Sequence, residues 1–314
     1  MNISDLERRL DSYLDLRKKL GFKMPDEPRL LRNFVCYLDG HPQCSLNIPQ
    51  TAVDWACSAG GVASHARRLS VVRGFLTHLR ASFSDIAIPA RNLVPAPTRS
   101  TPHIYSEAEI QALLRQALAL GPRGSLRPLT YFTLIGLMAS CGLRVGEAIR
   151  LRVGDVVLDP AGSLLYIRET KFRKSRLVPM HQTTAEALRK YAIEKTRLGY
   201  DRSCDFFFLS EKKTPLINCL FCGTFVKLAR SAGIRGPKGQ SGARLHDLRH
   251  TFAVRRMAAW YQEGVDVQAR LPELSVYLGH VRPETSYWYL TATPELLGVA
   301  AKRFERYQQA GGDL

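Results

Sequence analysis

The sequence predicts a mainly α-helical protein of two domains, the second of which also contains a small antiparallel sheet. Apolar residues recur at helical spacing through much of the 314-residue chain. A basic, proline-rich segment between Pro89 and Pro102 interrupts this pattern and predicts a linker. Short β-type runs appear only after it. We therefore expect a helical N-terminal domain at residues 1–90, a linker at 91–103 and a second domain at 104–314.

The N-terminal domain is predicted to consist of helices. The string SDLE at residues 4–7 fits a capping box that opens the first helix. A second helix is predicted at residues 28–38 and a loop at residues 40–50. A third helical stripe at residues 62–79 carries arginines that fit either a solvated face or a surface following DNA phosphates. The arginines assigned to DNA there are Arg67, Arg68 and Arg73.

The second domain begins with another capping box, SEAE at residues 106–109. A strongly apolar helix at residues 128–140 is its predicted core. Turn residues then separate short runs of β-forming side chains, which indicates an antiparallel meander. The remaining predicted elements are strands at 156–158, 164–167 and 176–178 and helices at 183–198 and 216–232.

Charge points to a polyanionic partner. The formal net charge is +17 at pH 7 and the sequence pI is near 9.8, which favours nucleic acid. A membrane surface is the rival partner, but no run of 18 or more apolar residues occurs and the first residues do not resemble a signal peptide. We expect a cytoplasmic, nucleoid-associated protein.

The cysteines do not predict a metal site or disulfides. Seven scattered cysteines favour reduced thiols. Cys219 and Cys222 have Cys-x-x-Cys spacing, but neither a second pair nor a histidine cluster completes four zinc ligands. Two buried helix residues are the better interpretation, and neither a metal nor a cofactor is expected.

Cationic side chains recur in the second domain. Arg144 follows a turn, and Glu147, three residues later, shares its helical face and can orient it. His246 and Arg249 share the first turn of a predicted helix, where a phosphate would meet the positive end of the dipole. Taken alone, His246 and Arg249 are better explained as a surface pair. The other candidates are Lys171, Arg173, Lys174 and Arg176 around the last turn of the sheet, and Lys238 and Arg244 in or beside a glycine-rich loop.

Tyr289 follows His280 by nine residues, within the aromatic string YWYL. Tyrosine is a poor nucleophile at neutral pH because its phenol titrates near pH ~10. It becomes useful where cations surround the group that it attacks. A buried aromatic patch is the alternative interpretation of this string.

Five strings together carry a family resemblance. They are GLRVGEAIRL at 142–151, TKFRKSRLVP at 170–179, HDLRHTFA at 246–253, LGH at 278–280 and YWYL at 287–290. In this order they resemble the tyrosine recombinases of the phage-integrase superfamily, from about Tyr105 to the C-terminus and more loosely over the N-terminal helices.

The resemblance implies a phosphate site. Arg144 and Arg249 would hold the non-bridging oxygens of the scissile phosphate, for which the guanidinium fork suits. Glu147 would support them. His246 and His280 would hydrogen-bond the phosphate and assist proton transfer at the nucleophile.

The resemblance also implies the reacting groups. Tyr289 would be the nucleophile that forms a 3′-phosphotyrosyl bond, with Tyr287 as its competitor; the offset from His280 favours Tyr289. Lys171 would protonate the departing 5′-oxygen, and Lys174 is the alternative. Since the phosphotyrosine conserves the energy of the broken bond, neither ATP nor a metal is needed.

The implied activity is site-specific recombination of double-stranded DNA. Four identical protomers would exchange strands in two pairs through a Holliday junction, with the two domains of each around the duplex. A final helix, predicted to begin at Pro294, would pack on its own domain or dock on a neighbour. The string TSYWYL at residues 285–290 resembles integrases encoded by transposons, which favours a transposon- or mobile-element-encoded member, and a partner recombinase is left open. The alternatives are a type IB topoisomerase and a non-catalytic DNA-binding accessory protein.

Overall fold

The computed structural model describes residues 2–41, 48–58, 60–95, 101–168, 175–200, 204–240 and 242–280, together with Gly298 and Glu305. The chain divides into two compact units, Met1–Ser100 and Thr101–Leu314. Both units are mainly helical, and the second contains a three-stranded antiparallel sheet, which confirms the predicted fold class. Within the described ranges no helix is long and apolar enough to span a membrane.

The first unit is built on a helical core. Phe34, Trp55 and Phe75 come from three different helices and are all buried. The predicted second and third helices are confirmed with ends shifted by about one residue. The helices are α1 (Ile3–Lys19), α2 (Glu27–Asp39), α3 (Ile48–Cys57) and α4 (Val62–Arg80).

Two predictions for this unit are wrong. Helix α1 is capped by Asn2, whose side chain accepts a hydrogen bond of 2.8 Å from the backbone N–H of Asp5, so the capping box at residues 4–7 does not form. Helix α3 begins inside the segment predicted as a loop. Pro49 lies in its first turn, where the missing N–H would have no intrahelical acceptor, so the proline is tolerated. Of the predicted loop, residues 42–47 lie outside the described part.

The second unit contains the predicted elements in their predicted order, together with a helix at Val267–Leu278 that was not predicted. Its first capping box is confirmed: the Glu109 backbone donates to Ser106 Oγ at 3.2 Å, and the Ser106 backbone donates to Glu109 Oε2 at 2.7 Å. The helices are α5 (Glu107–Leu118), α6 (Arg127–Cys141), α7 (Val145–Ala148), α8 (Gln182–Arg197), α9 (Asn218–Ser231), α10 (Asp247–Gln262) and α11 (Val267–Leu278).

The sheet brings one arginine toward the helices. Its strands are β1 (Val156–Val157), β2 (Leu164–Ile167) and β3 (Arg176–Pro179), paired antiparallel in that order. Leu165 pairs with Val178 and both are fully buried. Arg176 pairs with Ile167 and, two residues before Val178, lies on the same inward face. Strand β3 therefore starts with a cation that faces the protein, against α11.

Candidate functional site

The site begins where α6 ends. Gly142 closes this helix in the left-handed region at φ 60°, and a Cβ there would lie 2.6 Å from the Phe252 ring and 3.1 Å from Leu278. Only glycine fits both the backbone conformation and the close packing. The chain then turns at once into α7, and Arg144 occupies its N-cap. A close approach of three helix ends thus fixes the position of this arginine.

Three arginines converge on the C-terminal end of α11. Carbonyl groups at the end of a helix lack intrahelical donors and carry its negative dipole end, so they suit guanidinium groups. Each arginine comes from a different element, and each donates to a different one of three successive carbonyls. The bonds are Arg176 Nε to Tyr277 O at 2.7 Å, Arg249 Nη2 to Leu278 O at 2.6 Å and Arg144 Nη2 to Gly279 O at 2.9 Å.

Arg249 is the most enclosed of the three, with 1% of its surface exposed. Its Nη1 also donates to the carbonyl oxygen of Gly142 at 2.8 Å. One side chain from the first turn of α10 therefore joins the ends of α6 and α11. Because a buried guanidinium must have its donors satisfied, this arrangement fixes all three helix ends relative to one another.

Glu147 is the buried acid of the site and lies between two arginines. It accepts hydrogen bonds from the Arg144 backbone at 3.1 Å and from Arg144 Nη1 at 2.7 Å. It also accepts from Arg176 Nη1 at 3.2 Å and from Arg176 Nη2 at 2.8 Å. Burial alone would raise the pKa of Glu147, but the bonds and charge of Arg176, and then those of Arg144, lower it to about 2. The predicted contact between Glu147 and Arg144 is confirmed.

The histidines of the site are held neutral. Burial, followed by the charges of Arg249 and Arg144, lowers the pKa of His280 to about 3. Burial and Arg249 also lower the pKa of His246, which occupies the N-cap of α10. His250 meets the His246 ring edge-on at 4.8 Å, and burial lowers its pKa to about 4. At neutral pH each of these imidazoles therefore presents an unprotonated nitrogen that can accept a hydrogen bond.

The predicted catalytic residues that the structure describes lie together, with Glu147 among them. Three separate sequence strings meet at the ends of α6, α10 and α11, and they supply Arg144 and Glu147, His246 and Arg249, and His280. Other candidates lie outside the described residues, and so does the predicted C-terminal helix apart from two positions. The undescribed candidates are Lys171, Arg173, Lys174, Tyr287 and Tyr289.

Arg176 was predicted to contact DNA at the turn of the sheet, and the structure places it elsewhere. Its side chain is only 9% exposed and forms an ion pair with Glu147. The physical reason is the alternation of the strand, which puts Arg176 on the same face as buried Val178. The sequence shows that Arg176 and Val178 share one face of a strand, but the pairing of β3 with β2 decides that the strand includes Arg176.

The arginines of α4 also differ from the prediction. Arg68 is 7% exposed, and its guanidinium lies 4.0 Å over the ring of Trp55, so it packs inside the first unit and does not line a DNA surface. Arg67 is exposed but lies 3.4 Å from carboxylate oxygens of Asp26 and Glu27. Arg73 is half-buried.

The remaining sequence candidates lie at the surface or on α9. Lys238 is exposed, and Arg244 is paired with Asp247 at 2.9 Å. Cys219 and Cys222 lie on α9 as expected, but the prediction that both are buried is wrong, because Cys219 is exposed and Cys222 is half-buried. In the described part of the chain no group of three or more His, Cys, Asp or Glu side chains is placed to hold a metal ion.

Known proteins match this chain over most of its length. The phage integrase family model matches residues 105–295. A Sinorhizobium fredii protein provisionally named integrase/recombinase y4rB is 38% identical over 311 residues, which are 97% of this chain and 98% of that protein. The tyrosine recombinase XerD of Neisseria meningitidis is 31% identical over 247 residues, 78% of each chain.

A solved structure shows the same fold. The XerH site-specific recombinase, in a post-cleavage complex with its palindromic difH substrate, superposes with a TM-score of 0.67 at 19% identity and covers 89% of this chain and 79% of that one. The family match and the two relatives confirm the resemblance drawn from the five strings. This chain belongs to the phage integrase family of tyrosine recombinases.

Proposed function

We propose that this site-specific recombinase cleaves one strand of a DNA duplex with Tyr289 and rejoins it to a strand of a second duplex through a Holliday junction. The observation that carries the proposal is the cluster at the end of α11. There Arg144 and Arg249 hold successive carbonyls beside His280, whose imidazole is neutral. Negative charge increases on the phosphate oxygens in the transition state of phosphodiester cleavage, and these two guanidinium groups are placed to stabilise it.

The two arginines are suited to different parts of phosphate binding. Arg144 has 29% of its side chain exposed, so a non-bridging phosphate oxygen can reach it. Arg249 is enclosed and adds a fixed positive charge at the floor of the site. Because these groups are held before DNA arrives, little reorganisation opposes the developing charge of the transition state.

The chemical step needs a proton acceptor and a proton donor. As the bond between Tyr289 Oη and phosphorus forms, the phenolic proton passes to a neutral imidazole, for which His280 and His246 are the candidates. The bond from phosphorus to the 5′-oxygen breaks, and Lys171 supplies the proton that makes it a hydroxyl. Attack by a 5′-hydroxyl on the phosphotyrosine reverses these steps, so the exchange consumes no ATP.

The partner is double-stranded DNA that carries a recombination site, and the net charge of +17 supports this. We propose that residues 1–90 supply a second DNA-binding domain and that four protomers assemble on two duplexes. The protein would then act at the nucleoid, in keeping with a mobile-element origin.

Covalent trapping tests the proposal. Nicked duplexes tiled from the DNA flanking the gene are incubated with the protein in EDTA, and adducts are resolved on denaturing gels and mapped. We expect a 3′-linked adduct with the wild type and none with Tyr289→Phe, which keeps its DNA affinity. Tyr287→Phe is the matched control and should retain the adduct. An adduct undiminished in Tyr289→Phe and lost in Tyr287→Phe would move the role to Tyr287.

Plasmid relaxation and junction formation, measured beside adduct formation, separate the alternatives. A type IB topoisomerase would relax plasmids that lack the mapped site and would yield no junction intermediates. An accessory protein would bind the duplexes without any adduct. A recombinase requires two mapped sites and yields junctions whose strands come from both.

A further inference from the structure

The phosphate chemistry above gives Arg176 no role, although it belongs to the same cluster. It is at the start of β3, opposite Ile167, so it closes the sheet at the base of the connection that carries Lys171. Its guanidinium makes three side-chain hydrogen bonds, two to Glu147 and one to the carbonyl oxygen of Tyr277. One planar fork therefore links the sheet, α7 and the end of α11.

The charges explain why two arginines share one acid. Glu147 is the carboxylate bonded by both Arg144 and Arg176, so the three side chains together carry one net positive charge. If a neutral residue replaced Arg176, the negative charge of Glu147 would be paired with Arg144 alone and would cancel the positive charge of Arg144. A guanidinium paired with a single buried carboxylate attracts a phosphate less strongly.

The close approach of the backbone gives a second constraint. A Cβ at Gly279 would lie 2.7 Å from Arg176 Nη1, so the turn that precedes His280 lies directly against this guanidinium. The hydrogen bond from Arg176 Nε to the carbonyl oxygen of Tyr277 holds the residue at the end of α11 that leads into the same turn. The position of His280 therefore depends on Arg176 as well as on Arg249.

We infer that Arg176 is a positioning residue for DNA cleavage, which balances the charge of Glu147 so that Arg144 keeps its full attraction for the scissile phosphate and which holds the turn that carries His280. This inference rests on the proposed cleavage function. Arg176 itself does not contact DNA in this arrangement.

The test compares single-turnover cleavage with DNA affinity, using the nicked duplex that the wild type cleaves. Arg176→Gln lets Glu147 offset the charge of Arg144, so it should slow adduct formation about 100-fold, the order of loss expected when one oxyanion donor is removed, and change Kd for the duplex less than about threefold. Adding Glu147→Gln to Arg176→Gln removes the unbalanced carboxylate, and cleavage should recover about tenfold. Arg270→Gln is the matched control: it removes a half-exposed arginine paired with Glu273 on α11 and should cleave like the wild type.

Rescue separates this role from a merely structural one. If Arg176 and Glu147 served only to pack the site, the double variant Arg176→Gln, Glu147→Gln would cleave as slowly as Arg176→Gln or more slowly. That result would overturn the inference. Wild-type cleavage by Arg176→Gln would overturn it as well. An inactive wild type would instead contradict the proposed function, so the two failures are distinguishable.

Arg176→Lys keeps the test decisive if the glutamine variant does not fold. Lysine retains the charge beside Glu147 but loses the fork, so we expect cleavage within about tenfold of the wild type. A folded lysine variant, checked by circular dichroism, that is slowed 100-fold or more would contradict charge balance by Arg176.

Discussion

Arg249 Nη2 donates a hydrogen bond of 2.6 Å to the carbonyl oxygen of Leu278, which lies 29 residues further along the chain. The bond joins the first turn of α10 to the last turn of α11 and places the next two residues, Gly279 and His280. A second bond, to Gly142 O, adds the end of α6. A residue assigned by resemblance to phosphate binding thus also holds together the helices that form the site.

This dual role predicts that Arg249→Lys impairs stability and cleavage together. Lysine cannot satisfy both carbonyls, and leaving a buried acceptor without a donor costs about 1–3 kcal/mol. We expect the free energy of unfolding in urea to fall by about 3 kcal/mol and cleavage to slow about 10²–10³-fold. Arg256→Lys, on the exposed side of the same helix, should change neither by a measurable amount. Unchanged stability in Arg249→Lys would show that the two carbonyl bonds are dispensable.

The turn after α11 predicts a second pair of variants. Gly279 has φ 69° and Gly264 has φ 76°, so alanine at either position costs about 1–2 kcal/mol of backbone strain. At Gly264 a Cβ would meet nothing within 4 Å, whereas at Gly279 it would collide with Arg176. Gly279→Ala should therefore slow cleavage tenfold or more while Gly264→Ala cleaves normally at matched loss of Tm. Equal cleavage by both variants would mean that the conformation of the turn at Gly279 does not affect catalysis.

The depressed histidine pKa values predict a loss of stability in acid. Folded His280 has a pKa of about 3 and folded His250 one of about 4, against 6.5 in the unfolded chain. Between the folded and unfolded pKa values, these histidines bind more protons in the unfolded chain than in the folded one. Their contribution to the free energy of unfolding is therefore fully present above about pH 6.5 and is lost as the pH falls. The charged groups that face His280 are Arg249, Arg144, Arg176 and, when protonated, His250.

Thermal unfolding of the DNA-free protein measures this effect. Between about pH 7.5 and pH 5 the carboxylate of Glu147, whose pKa is lowered to about 2, stays ionised and does not contribute. We expect Tm to fall over this range, and to fall less in His280→Gln than in the wild type. An equal fall in both proteins would mean that the neutral state of His280 is not linked to folding.

The sequence predicted the local part of the site because its signals are local. Arg144 and Glu147 are three residues apart, and helical geometry alone brings them together. The capping box at Ser106 is likewise contained in four residues. Family resemblance then grouped the distant strings.

What escaped prediction depends on tertiary placement. The sequence allows two placements of Arg176, either in the cationic turn or on the inward face of a strand. Only the pairing of Arg176 with Ile167 decides between them. Arg68 follows the same logic, because its partner Trp55 comes from α3, a helix that the sequence pattern did not reveal. In both cases a long basic side chain is buried by a partner that periodicity does not identify.

The choice between Lys171 and Lys174 as leaving-group acid, which lies outside the described residues, yields the last prediction. A 5′-bridging sulfur leaves as a thiolate, and since thiols ionise near pH ~8.5 it departs without the proton that an alkoxide needs. We expect Lys171→Ala to slow cleavage of ordinary DNA about 10²–10⁴-fold and to cleave the sulfur-substituted strand almost as fast as the wild type. Lys174→Ala should cleave both substrates normally; the reverse pattern would assign the acid to Lys174.

The sulfur-substituted strand also tests Arg176, which follows Lys171 by five residues. If Arg176 acts on the phosphate side of the reaction, the sulfur substitution should not restore cleavage by Arg176→Gln. Rescue of both Arg176→Gln and Lys171→Ala would instead mean that Arg176 acts by aiming the lysine.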